Sequence, residues 1–105
     1  MKLLKDKVAL ITGGGRGIGR SICESFAENG CNVAFTYNNS HEAAEDLVKE
    51  LNKYDVKVKS YKIDASDHDK SVELIDNVIS DFDRIDVLVN NAGITKDNLL
   101  IRMDD

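Results

Sequence analysis

Two short, unbroken apolar runs constrain this chain more than any other feature. Val8-Ala9-Leu10-Ile11 leads into Thr12-Gly13-Gly14-Gly15, and Val87-Leu88-Val89 leads into Asn90-Asn91-Ala92-Gly93. A strand with one wet face alternates apolar and polar residues; a run with no polar residue reads as a strand covered on both faces. Each run closes in turn-forming residues, so a loop is expected at the carboxyl end of each strand.

Between these runs the apolar period changes repeatedly. From Gly17 the residues Ile18, Ile22, Phe26 and Ala27 recur at helical spacing until Asn29-Gly30 supplies a stop. Residues 33–37 are β-branched and aromatic, as in a second strand. Ala44, Leu47, Val48 and Leu51 form a helical stripe, opened by Asn39 and Glu42 in the spacing of a capping box. Val56, Val58 and Ile63 alternate with polar residues, as in a third strand near a sheet edge. The lysines there are read as solvated positions that discourage edge pairing. That strand ends at Asp64-Ala65-Ser66-Asp67. Val72, Ile75, Val78, Ile79 and Phe82 mark a third helix, with Ser66 or Asp67 as its cap. A further helix is expected to begin around residues 97–103. Four strands separated by three helices, without a proline, predict an α/β Rossmann-type doubly wound parallel sheet, in the order 3-2-1-4 under right-handed crossovers.

At 105 residues there is room for one domain. No apolar run is long enough to cross a bilayer, and the charged N-terminus lacks a secretory h-region, so a cytoplasmic protein without a membrane role is expected. A formal net charge of −5 argues against a general nucleic-acid surface. Cys23 and Cys31 have neither CxxC nor metal-ligand spacing and read as buried small residues. His41 and His68 read as surface positions, so no metal site is expected, and Ser21 and Ser25 have no nearby histidine base.

Chemistry gathers at Thr12-Gly13-Gly14-Gly15-Arg16-Gly17-Ile18-Gly19. Gly13 permits a sharp turn, while Gly17 and Gly19 admit close backbone approach. The N–H groups and the positive end of the following helix then suit a pyrophosphate. The spacing is TGxxxGxG, and the Lys-[Ser/Thr] pair of a P-loop is absent. An acid that binds the ribose 2′-OH of NAD belongs near the end of the second strand, where this chain has Tyr37-Asn38-Asn39-Ser40. With no carboxylate there, and Arg16 able to pair with a 2′-phosphate, NADP is favoured over NAD; the alternative makes Arg16 a solvated loop charge. Asp64 serves either an adenine amino group or the entry of the next helix. Asn90 and Asn91 can tie neighbouring strands together, while Ala92 and Gly93 leave room for a ribose or nicotinamide.

Together, the glycine motif of residues 12–19, Asp64 after the third strand and the Asn90-Asn91-Ala92-Gly93 motif resemble the short-chain dehydrogenase/reductase superfamily across essentially the whole chain. Residues 91–103 look very like the corresponding segment of bacterial 3-oxoacyl-[acyl-carrier-protein] reductases. The resemblance implies cofactor contacts for Gly13, Arg16, Gly17, Ile18, Gly19, Asn38, Asp64, Ala65, Asn90, Ala92 and Gly93, with Gly14 and Gly15 in the same loop. It also implies NADPH-dependent reduction of a 3-oxoacyl thioester on acyl carrier protein to the (3R)-hydroxyacyl form, in fatty acid synthesis, by a homotetramer.

In that family a Tyr-x-x-x-Lys pair supplies the proton. Here Tyr37, Tyr54 and Tyr61 are followed four residues later by His41, Val58 and Ala65. Loss of general-acid catalysis alone would cost on the order of 10²–10⁴-fold. Residues 1–105 are therefore expected to be the dinucleotide-binding half of a single-domain reductase, catalytically inactive in isolation, with the catalytic half absent. The alternatives are a free-standing NADP-binding module, an inactive fragment, or a short-chain dehydrogenase acting on another carbonyl or alcohol.

Overall fold

Parity along the first strand divides the core in two. In the computed structural model, which describes residues 3–15, 17–64 and 68–91, all five residues of β1 (Val8–Thr12) are buried. Ala9 and Ile11 pack with Cys23 and Ala27 of α1 (Gly17–Glu28) and with Ala44, Leu47 and Leu51 of α2 (His41–Asn52). Val8 and Leu10 pack with Leu74, Ile75, Val78 and Phe82 of α3 (His68–Phe82). The second strand, β2 (Asn32–Tyr37), splits the same way, sending Val33, Phe35 and Tyr37 to the first cluster and Ala34 to the second. Helices on both faces explain why the central strands carry no alternation.

With β3 (Val58–Lys62) and β4 (Val87–Asn90), the sheet has the order β3-β2-β1-β4 and every pairing is parallel. The predicted architecture and strand order are those observed. Helices α1 and α2 carry the chain outward on one face, and α3 returns it across the other to β4. The direction of winding therefore reverses between β1 and β4, at Thr12 and Asn90, which lie in register. Open α/β sheets take their ligands at the carboxyl ends of the strands flanking such a reversal.

Two local expectations need correction. The capping box does not form: α2 begins at His41, Ser40 occupies the cap position, and no side chain caps the helix. The chain leaves β2 through Tyr37 and bends at Asn38 and Asn39, so Asn39 lies one residue too early to cap. Second, two of the edge lysines are not simply solvated. Lys57 bonds the Asp81 carbonyl, Lys59 lies 2.9 Å from Asp81 Oδ2, and the Tyr61 hydroxyl donates to that same oxygen at 2.6 Å. Lys57, Lys59 and Tyr61 share the face of the edge strand that meets α3, where Asp81 offers both acceptors.

This clasp is acid-sensitive. The Tyr61 hydroxyl and the Lys59 ammonium hold the Asp81 carboxyl below the usual carboxylate range, while burial and Asp81 push the Tyr61 phenol up. A carboxyl depressed in the folded state contributes above its unfolded value, and the contribution fades as pH falls through the lower folded value. Acid titration below about pH 4 should loosen β3 from α3, a step visible in the Tyr61 ring resonances and absent in Asp81→Asn.

Cys23 and Cys31 are buried and free, and burial pushes their thiols up to about 12 and about 11. Among the described residues no helix is long and apolar enough to cross a membrane.

Candidate coenzyme-binding site

The loop after β1 is clamped from both neighbouring strands. Thr36, buried near the end of β2, accepts the Gly13 N–H on its hydroxyl at 2.9 Å and the Gly14 N–H on its carbonyl at 2.9 Å. From the other side the Thr12 hydroxyl donates to Asn90 Oδ1 at 3.0 Å, and Asn91 Nδ2 donates to the Gly13 carbonyl at 3.1 Å. The strand-tying role expected of these asparagines is thus observed. Thr36→Val should strand the Gly13 N–H and cost about 1–3 kcal/mol, the usual penalty for a buried donor without an acceptor. Urea unfolding should show that loss, with Thr36→Ser recovering most of it.

Helix α1 then lies directly on the loop. A Cβ at Gly19 would stand 2.0 Å from the Gly13 carbonyl oxygen and 2.9 Å from Asn91 Nδ2. At Gly14 it would meet Phe35 Cβ at 2.7 Å and Cys23 Sγ at 2.9 Å, so this residue seats the loop on the core. Gly13 and Gly17 adopt left-handed conformations, with φ of 69° and 61°. Gly17, Ile18 and Gly19 form the first turn of α1, whose N–H groups have no intrahelical carbonyl and mark the positive end of its dipole. Gly17 and Ile18 are exposed there. The amides of Gly13 and Gly14 face inward to Thr36, so donors for an external anion must come from Gly15 onward. Arg16 lies outside the described residues.

Beside the loop a cleft of about 230 Å³ opens at the ends of β1 and β2, lined by Gly13, Gly15, Tyr37, Asn38, Asn39 and Ser40. None of these lining residues carries a carboxylate. Asp64 is exposed just past β3, after Ile63, whose N–H bonds the Tyr37 carbonyl at 2.9 Å. Thus Asp64 joins the same end of the sheet as Asn38 and the loop. Asn90 is exposed at the end of β4. Ala65, Ala92 and Gly93 lie outside the described residues. Among the described residues, no group of three or more acidic, His or Cys side chains could hold a metal ion.

Sequence reasoning missed two of the loop's supports. Thr12 and Thr36 carry no expected role of their own in the sequence, although a threonine closing an apolar strand is a signal for one. It also missed a chain of contacts at the cleft wall. The Tyr37 hydroxyl lies 2.8 Å from His41 Nδ1, and His41 Nε2 lies 3.0 Å from Glu45 Oε1.

Comparison with known proteins gives one consistent answer. The family model described as short chain dehydrogenase matches residues 7–105. A 3-oxoacyl-[acyl-carrier-protein] reductase from Staphylococcus aureus is 48% identical over 105 residues, covering 100% of this chain and 42% of that protein. An NADP-dependent mannitol dehydrogenase from Alternaria alternata is 44% identical over 98 residues, 90% of this chain and 37% of that protein. Among solved structures, a short-chain dehydrogenase/reductase mutant from Serratia marcescens superposes with a TM-score of 0.83 at 38% identity, covering 87% of this chain and 37% of that one. A short chain dehydrogenase from Burkholderia cenocepacia in complex with NADP gives a TM-score of 0.83 at 33% identity, covering 95% of this chain and 45% of that one. The chain spans about two fifths of the length of the curated relatives it matches. With the fold, the loop and the sequence match agreeing, the chain belongs to the short-chain dehydrogenase family.

Proposed function

We propose that residues 1–105 are the coenzyme-binding half of an NADP(H)-dependent 3-oxoacyl-[acyl-carrier-protein] reductase. At full length, such an enzyme reduces a 3-oxoacyl thioester on acyl carrier protein to the (3R)-3-hydroxyacyl form. On the family resemblance it would work in the cytoplasm as a homotetramer. The observation that carries the coenzyme assignment is the cleft at the end of β2, whose wall offers Asn38, Asn39 and Ser40 and no carboxylate. A carboxylate there would repel a 2′-phosphate, whereas amides and Arg16 can bond one. The 48% identity over the whole chain supports the substrate assignment.

The residues present fit a dinucleotide. The first turn of α1 has no side chain at Gly17, whose Cβ position faces open space, to obstruct a diphosphate, and the cleft adjoins the loop at Gly15. In this reading the N–H groups of Gly15, Gly17, Ile18 and Gly19 hold the diphosphate. Arg16 and Asn38 hold the 2′-phosphate, Asp64 and Ala65 face the adenine, and Asn90, Ala92 and Gly93 line the nicotinamide ribose. Gly13 and Gly14 shape the floor beneath. When bound, the coenzyme supplies the hydride. The chain's own contribution is placement, because fixed donors and a helix dipole hold the diphosphate without reorganising. No Tyr-x-x-x-Lys pair occurs in this sequence, so the 105-residue chain should bind coenzyme without turnover.

Calorimetric titration with NADPH and NADH tests the coenzyme assignment; equal affinity for the two would contradict it. Assay of the full reading frame on a 3-oxoacyl thioester tests the substrate. The identity to the mannitol dehydrogenase favours a second reading, action on another carbonyl or alcohol, which polyol oxidation without thioester reduction would establish.

A further inference from the structure

The Tyr37, His41 and Glu45 side chains form a hydrogen-bonded line from the cleft wall to solvent. Tyr37 is 9% exposed and lines the cleft, while His41 and Glu45 stand on the outer face of α2, their side chains 66% and 58% exposed. Residue spacing of four on one helix, continued back into the last residue of β2, makes the line possible. Its protonation logic is simple. A neutral imidazole that donates from Nε2 to Glu45 accepts the phenol hydrogen at Nδ1, so the Tyr37 O–H points at the ring. A doubly protonated imidazole donates from both nitrogens. The phenol oxygen must then accept, and its hydrogen is released to turn toward the cleft.

We propose that His41 couples proton uptake to coenzyme binding. When the 2′-phosphate enters the cleft, a proton from solvent settles on Nδ1, and the imidazolium and the freed Tyr37 O–H both favour the anion. His41 follows Ser40, a lining residue of the cleft, so its charge acts well within a Debye length of about 8–10 Å. Other groups on the packed elements bear on the ring. Glu42 and Glu45 on α2 favour its charge. On the side of β3, Lys62 pairs in register with Tyr37 and opposes it, and Asp64 follows nearby. The positive end of the α2 dipole also opposes a charged ring, and an arriving phosphate favours one. His41 is thus a positioning and affinity-tuning residue. It extends the NADP reading above and depends on it.

Imidazoles change charge between about pH 5 and pH 8, whereas a phosphate monoester loses charge below about pH 6, so the comparison must be between variants at matched pH. The experiment is calorimetric titration of the 105-residue chain with NADPH and with NADH at about pH 6.5 and about pH 8, in buffers of differing ionisation enthalpy. Wild type should take up protons on binding NADPH. Its affinity relative to His41→Gln should improve about three- to fivefold at the lower pH, as expected of one partly screened charge. NADH should show neither effect. Glu45→Gln should diminish the proton uptake while leaving circular dichroism unchanged, since both positions are exposed. Preferred NADPH binding, with equal proton uptake in wild type and His41→Gln, would overturn this inference and leave the NADP reading standing. Equal binding of both coenzymes, or none, would overturn both.

Discussion

Gly19→Ala should abolish measurable coenzyme binding and destabilise the fold by about 3 kcal/mol, at the upper end of ordinary overpacking. The reason is what the new methyl group would strike. Its nearest neighbour is the Gly13 carbonyl oxygen, at 2.0 Å, and that backbone is held by Asn91 at 3.1 Å and, through Gly13 N–H, by Thr36 at 2.9 Å. A flexible side chain would move aside, but a doubly clamped loop cannot. Either α1 lifts from the loop, which misplaces its N-terminal amides, or the loop leaves Thr36. Gly17→Ala is the informative contrast. No atom lies within 4 Å of its Cβ position, so only the φ of +61° is penalised, at about 1–2 kcal/mol. Urea unfolding and NADPH titration of the two variants should rank Gly19→Ala as clearly worse on both counts. Equal effects would mean that the helix does not sit on the loop as described.

Arg16→Ala should weaken NADPH binding by roughly 10- to 100-fold while changing NADH binding far less. The loss corresponds to about 1.5–3 kcal/mol for hydrogen bonds to a charged group. Arg16→Lys should restore only part of it, because an ammonium provides a charge without the planar fork that matches a phosphate. If Arg16 instead contacted only the diphosphate, both coenzymes would lose affinity alike, and direct titration separates the two cases.

The architecture was legible because each element carried its own signal. The unbroken run at Val8 could be buried only under helices on both faces, whereas the run at Val87 is half-buried at the end of the described sheet, and the order 3-2-1-4 follows once crossovers are right-handed. The glycine loop was legible by position as much as composition, between a buried strand and a helix. The supports were less visible. That Thr36 would hold Gly13 and Gly14 depends on the register of β2 against β1, which pairs Ile11 with Phe35 and which no local pattern encodes. The Asn39 capping box failed for a similar reason, since the exit path from β2 decided where α2 could start. The edge lysines looked solvated because Asp81, some 20 residues away in sequence, meets them only after α3 packs.

Two clefts at opposite ends of the sheet permit a direct test of the central claim. One lies at the carboxyl ends of β1 and β2, lined by Gly13, Gly15 and Asn38, and the other at the amino end, lined by Lys5, Asp6, Asn32 and Asp55. Amide chemical shifts followed during NADPH titration report which of them fills. The largest changes should fall on Gly15, Gly17, Ile18, Gly19 and Asn38, with Lys5, Asp6 and Asp55 unmoved. Shifts concentrated at the amino end, with the glycine loop silent, would contradict the assignment.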